Sequence, residues 1–214
     1  YKMRGSSLKI KICGLRKECD VDFVNKAGVD FAGFVFAKSK RQITPAQAVV
    51  LKKRLSPDIK SVGVFVDESI ENIKKICGSG IIDLIQLHGN ENSDFIKTLK
   101  KETKLPVIKA IRGLSSEYIK EKAQNGADFV LLDSFKENSF GGTGCVFDWT
   151  LVPDIKQPVF LAGGLNINNI EHAVDTVHPF CVDISSGVET DGFKDEKKIF
   201  EITKLVRGLK YEYN

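Results

Sequence analysis

The chain has 214 residues, of which 42% are hydrophobic and 28% charged, and its formal net charge is +4. That length buries most of its apolar surface in one globular unit without disulfide staples. The charge excess is too small to argue for a nucleic-acid partner, though it suits a phosphorylated small molecule.

Residues 1–7 carry Lys2 and Arg4 but no apolar core, and read as a disordered leader outside the fold. From residue 8 onward the chain reads as a single domain, 8–214. A hydrophobic run at 8–13 ends on Cys13. A second, 30–36, leads into Ser39-Lys40-Arg41, and Thr44 then caps a helix that opens on Pro45 and runs to Leu55. A third run, 60–66, is followed by Asp67 and by a helix over 69–77 that stops at Gly78-Ser79-Gly80. The fourth, 83–88, carries Gln86 and His88. The fifth, 106–111, carries Lys109, with Arg112 just beyond it, and a helix over 115–125 follows, with Gly126 after its end. The sixth, 128–133, ends on Asp133 and opens a long link containing Gly141-Gly142-Thr143-Gly144 and the single tryptophan, Trp149. The seventh, 158–162, runs into Gly163-Gly164 and a helix start at Leu165-Asn166. The eighth, 180–184, carries Asp183 and leads to Ser185-Ser186-Gly187.

These runs start 22 to 30 residues apart, are largely continuous, and are often β-branched, as strands buried on both faces are. Eight strand–helix alternations predict an α/β fold, a (β/α)8 TIM barrel, with a doubly wound parallel sheet as the alternative. In a barrel the C-terminal ends of the strands form one rim, so Cys13, Asp133 and the glycine-rich links meet there. A thiol, with a reference pKa of about 8.5, becomes a base when cations stand close; the alternative for Cys13 is a packing residue. A carboxyl emerging from an apolar strand, as Asp133 does, suits a general acid, or else a cap or ion pair. Backbone N–H groups of Gly163, Gly164, Ser185, Ser186 and Gly187, with Gly142 and Gly144 in a flap above, form a phosphate cradle. Arg41 has the fork to clamp a carboxylate, the alternative being a solvated loop arginine. Asp183 is placed to hold a substrate hydroxyl or amine or else the barrel rim, and His88 to touch the substrate or to serve as a structural histidine.

Cys13, Cys19, Cys77, Cys145 and Cys181 include no Cys-x-x-Cys pair, and His88, His172 and His178 form no metal-binding pattern. The chain therefore reads as reduced and cytoplasmic, without a metal, with the last four cysteines as packing residues. No apolar run approaches a membrane span.

The motifs Lys11-Ile12-Cys13-Gly14-Leu15, Ser39-Lys40-Arg41, Gln86-Leu87-His88-Gly89, Leu132-Asp133-Ser134, Gly141-Gly142-Thr143-Gly144, Leu161-Ala162-Gly163-Gly164 and Asp183-Ile184-Ser185-Ser186-Gly187-Val188-Glu189 stand in an order that resembles the phosphoribosylanthranilate isomerase family. The resemblance covers nearly everything from Leu8 to Val206. It implies an Amadori rearrangement of N-(5-phosphoribosyl)anthranilate in tryptophan biosynthesis, with Asp133 as general acid and Cys13 as general base. By the same resemblance Arg41 binds the anthranilate carboxylate, Gln86, His88 and Asp183 line the pocket, and no cofactor is needed. A monomer or a homodimer is compatible with it. Two positions depart from the family pattern. Cys145 replaces a common lysine, and the Asp191–Asp195 segment lacks a proline. A metal-dependent phosphosugar epimerase, a catalytically silent phosphate-binding barrel and a histidine-pathway isomerase are the competing readings.

Overall fold

The computed structural model describes residues 7–112, 115–133 and 148–211. Eight parallel strands, β1 (Lys9–Cys13), β2 (Phe31–Val35), β3 (Lys60–Phe65), β4 (Leu84–Leu87), β5 (Val107–Ile111), β6 (Phe129–Leu132), β7 (Val159–Leu161) and β8 (Cys181–Ile184), close into a barrel in chain order. Closure through the β1–β8 seam, where Lys11 pairs with Asp183, excludes the doubly wound sheet. Every predicted run is present and is trimmed by one residue at one or both ends. The trimmed residues stay anchored. The His88 N–H reaches Phe65 O at 2.8 Å and the Asp133 N–H reaches Ile111 O at 3.1 Å, which fixes the height of both side chains above the barrel.

Among the described residues seven helices cover the strands: α1 (Glu18–Ala27), α2 (Pro45–Arg54), α3 (Ile70–Gly78), α4 (Ser93–Thr103), α5 (Ser116–Ala123), α6 (Ile170–Val177) and α7 (Glu196–Gly208). Their starts follow local chemistry. The hydroxyls of Thr44, Ser69 and Ser115 and the side-chain oxygens of Asn92 and Asp195 each accept a first-turn backbone N–H. A two-stranded hairpin, β9 (Glu189–Thr190) with β10 (Phe193–Lys194), follows β8.

Three expectations are corrected. The β6–β7 link lies largely outside the described residues, and the part described carries a 3₁₀ turn, Trp149–Leu151. The helix after β7 begins at Ile170, not at Leu165-Asn166. Asn166 Oδ1 accepts the Asn168 N–H, and the Asn166 N–H goes to Asn169 Oδ1, so the asparagines bond local backbone and hold a turn instead. Helix α5 ends at Ala123, two residues early, because the Asn125 side chain takes Lys122 O and the Ala127 N–H. Cys19 is exposed in the first turn of α1, with its thiol 3.9 Å from Asp20 Oδ1, and is not a core packing residue.

Strand alternation sorts the side chains into two cores. Residues such as Ile10, Ile12, Phe34 and Ile85 point outward to the helices. The inward set, Val62, Leu84, Ile108, Leu131, Phe160 and Cys181, fills the barrel. Phe31, Phe129 and Phe180 surround Phe160 with ring centroids 5.3–5.7 Å away and plug the end of the barrel where the strands begin. At the other end the inward residues include Ala110 and Ala162 but also the buried polar side chains Lys11, Gln86 and Asp183, which build the site.

Candidate active site

Inward positions two apart on each strand build this site. β1 contributes Lys11 and Cys13, β4 Gln86 followed by His88, β6 leads to Asp133, and β8 gives Asp183. Lys11 is wholly buried. Its ammonium donates to Asp183 Oδ2 at 2.6 Å and to Gln86 Oε1 at 2.7 Å. Gln86 Nε2 lies 2.9 Å from His88 Nδ1, and His88 Nε2 lies 3.1 Å from Asp133 Oδ2. Five side chains thus form one hydrogen-bonded chain across the barrel mouth. The second oxygen of Asp183, Oδ1, is buried with no partner among the described residues.

Cys13 stands two residues above Lys11. As a residue it is half-buried, but its sulfur lies on β2 where only glycine fits: a Cβ on Gly33 would be 2.6 Å from Cys13 Sγ. Burial pushes the thiol above its ordinary value. The Lys11 ammonium pulls it down, Asp183 pushes it up, Lys194 pulls it down, and burial prevails. Burial also works against the Lys11 ammonium, yet Asp183 and Cys13 hold its pKa well above the usual lysine value.

Arg41 meets a carboxylate within the chain. Its Nε and Nη2 bond the two oxygens of Glu189 at 2.6 and 2.7 Å, which leaves Nη1 as the remaining edge of the fork. Lys194 adds a bond to Glu189 Oε1 at 3.0 Å and another to Ser185 O at 2.9 Å. Burial raises the Glu189 carboxyl, but Arg41 and Lys194 outweigh it and hold the group at about 2.

The links after β7 and β8 lie against each other. A Cβ on Gly187 would be 2.0 Å from Leu165 O. Gly163 and Gly164 follow β7 at positive φ, and the Ser185 hydroxyl donates to Cys13 O at 3.0 Å, tying the β8 link to β1. Gly142 and Gly144 lie outside the described residues.

The structure therefore gathers Cys13, Gln86, His88, Asp133 and Asp183 at one rim, sets Arg41 against Glu189 beside them, and brings the two described glycine links together. Sequence reasoning assigned no part to Lys11, Glu189 or Lys194. A lysine inside a hydrophobic strand run was the available signal for the first. On the other side of the rim, Lys109 donates to Glu91 at 2.8 Å and to Gly89 O at 2.6 Å. Glu91 in turn accepts the Asp67 and Gly89 N–H groups, stapling the links after β3 and β4. A cavity of about 630 Å³ opens there, and His88 is its one residue shared with the five-residue chain. No three His, Cys, Asp or Glu side chains converge as metal ligands among the described residues.

Residues 10–205 match the family model described as N-(5'-phosphoribosyl)anthranilate isomerase. The chain belongs to this family. A family member from Endomicrobium trichonymphae is 50% identical over 201 residues, covering 94% of this chain and 99% of its own. One from Thermoanaerobacter pseudethanolicus is 44% identical over 205 residues, covering 95% and 100%. Among solved structures, the isomerase from Thermotoga maritima superposes with a TM-score of 0.84 at 35% identity, over 94% of this chain and all of its own. An isomerase in complex with reduced 1-(o-carboxyphenylamino)-1-deoxyribulose 5-phosphate gives a TM-score of 0.81 at 33% identity, with the same coverage. The family match thus spans the barrel apart from Lys9 at the start of β1 and the last turn of α7.

Proposed function

We propose that the chain converts N-(5'-phosphoribosyl)anthranilate to 1-(2-carboxyphenylamino)-1-deoxyribulose 5-phosphate in L-tryptophan biosynthesis, with Cys13 as general base and Asp133 as general acid. One observation carries the reading. The thiol and the carboxyl end two strands of one rim, and the strands between them round the ring, β7 and β8, are those whose links carry Gly163-Gly164 and Ser185-Ser186-Gly187. A sugar phosphate held by those links lies between acid and base.

In the first step Asp133 gives its proton to the furanose ring oxygen. The C1–O bond breaks as the anilino nitrogen lone pair forms the C1=N bond of an iminium. His88 occupies Asp133 Oδ2, so the proton is delivered from Oδ1. In the second step the Cys13 thiolate removes the C2 proton, and the C2–H electrons pass through C1 to the cationic nitrogen. The resulting enolamine then takes a proton at C1 and loses one from the C2 hydroxyl, giving the ketone. The iminium is its own electron sink, so this sequence needs no cofactor. Asp183 Oδ1, buried and without a partner among the described residues, suits a substrate N–H or O–H donor. Gln86 and His88 line the floor, and Arg41 offers Nη1 to the anthranilate carboxylate. Gly142 and Gly144 belong to this reading as part of the phosphate cradle.

Residues 8–214 act as one cytoplasmic catalytic unit in this proposal. Its partners are a phosphorylated small molecule and, at most, a second copy, since one Thermotoga maritima relative is described as dimeric. The test is the loss of phosphoribosylanthranilate fluorescence, with Cys13→Ser and Asp133→Asn alongside. Decay with the parent and a loss of at least about 100-fold in each folded variant is expected. A folded parent that leaves the fluorescence at its spontaneous rate would overturn the assignment.

A further inference from the structure

The most unusual group in the barrel is a lysine that the reaction above does not use. Lys11 has no exposed surface, and its ammonium sits on the strand that ends in Cys13. A buried cation is tolerated only when paired and fully hydrogen-bonded, and here Asp183 and Gln86 do both. The bond to Gln86 has directional consequences. An ammonium can only donate, so the amide must face it with Oε1 and turn its NH₂ toward His88. That NH₂ can only donate, so His88 Nδ1 must accept, and the ring proton must stand on Nε2, aimed at Asp133 Oδ2.

We propose that Lys11 is a positioning residue for both ends of the reaction: through Gln86 and His88 it fixes the tautomer that holds Asp133, and its ammonium stands one inward position below Cys13 on the same strand. The inference deepens the isomerase reading and rests on it for its kinetic part only. Three other charged groups act on Cys13: Asp183 of β8, Lys194 of β10 and Arg41 of the link after β2. Asp183 opposes thiolate formation. Lys194 and Arg41 are engaged by Glu189 as Lys11 is by Asp183, and of these three cations Lys11 is the one that shares a strand and an inward face with Cys13.

The test has two parts. In the wild-type protein, ¹H–¹⁵N spectra of the histidine rings, with His88 assigned from His88→Asn, should show His88 as the single Nε2–H tautomer. An Nδ1–H ring or a mixture would overturn the chain. In Lys11→Met, the pH midpoint for iodoacetamide alkylation of Cys13 should rise by at least about one unit, a factor of ten in thiolate. The kcat should fall about 10- to 100-fold with KM changed less than threefold. An unmoved alkylation midpoint in a folded Lys11→Met protein would overturn the role under Cys13. If loss of the cation prevents folding, Gln86→Met keeps the Lys11–Asp183 pair and cuts only the link, and His88 should then lose its single tautomer. Retention of that tautomer would refute the relay. The ring spectra and the alkylation midpoints stand whether or not phosphoribosylanthranilate is turned over, so failure of the isomerase reading is separately visible.

Discussion

Cys13 and Glu189 are tuned in opposite directions by the same neighbourhood. Burial prevails at the thiol, so its resting form at neutral pH is protonated and the reactive fraction grows as pH rises. The kcat/KM for phosphoribosylanthranilate is therefore expected to climb through the alkaline range. A stopped-flow series on parent and Asp133→Asn proteins should show the same rising limb in both, and a flat profile would remove Cys13 as the base. Glu189 titrates at about 2 in the fold, below the roughly 4.3 of a free glutamate, so its ionised form stabilises the protein at every pH above that reference. That contribution fades as pH falls toward 2. Glu189→Gln should accordingly lower the urea midpoint at neutral pH, and its difference from the parent should shrink as pH falls from about 4.3 toward 2, with about half of it gone near pH 3. Cys13 and Asp133 were legible because each ends a hydrophobic run, which places it at the rim from local pattern alone. Lys11 and Glu189 were not. The partners of Lys11 lie 75 and 172 residues away, and those of Glu189 include Arg41, 148 residues distant.

The helices and links repeat the contrast one level up. Helix α2 was readable to its first residue because Thr44 and Pro45 form a local start signal, and Gln47 closes the capping box. Thr44→Ala removes the acceptor of the Gln47 N–H and should cost about 1 kcal/mol, measured as a lowered thermal midpoint with activity retained. The Asn166–Asn169 turn misled for the same local reason. Asparagine beside a glycine pair suggests a cap, yet two asparagine amides reach back to Gly164 O and hold the turn open before α6 begins. The link after β2 shows what local pattern cannot supply. Its arginine was recognisable as a fork for a carboxylate, but the carboxylate it grips stands on β9.

Across the whole barrel, apolar filling and polar chemistry occupy opposite ends. The Phe31–Phe129–Phe160–Phe180 group closes one end, and Phe160→Ala is expected to cost about 3–5 kcal/mol, read from denaturant midpoints, with KM unchanged in the folded fraction. The eightfold alternation made this architecture legible, since continuous β-branched runs at regular spacing have few other solutions. The position of Lys11 also bears on how the chain reaches that architecture. Its carboxylate partner arrives with β8, the last strand, and its amide partner with β4, so a half-assembled barrel has no counter-ion for it. Until the seam closes, the ammonium keeps its water, and stripping that water early is unfavourable. Incomplete or misregistered barrels therefore stay wet and open at β1, while the closed ring gains the pair only after most apolar surface is already packed. Such a late contact acts on escape from the native state rather than on the approach to it, so the charge at the heart of the barrel lengthens the lifetime of the finished fold without hastening its formation.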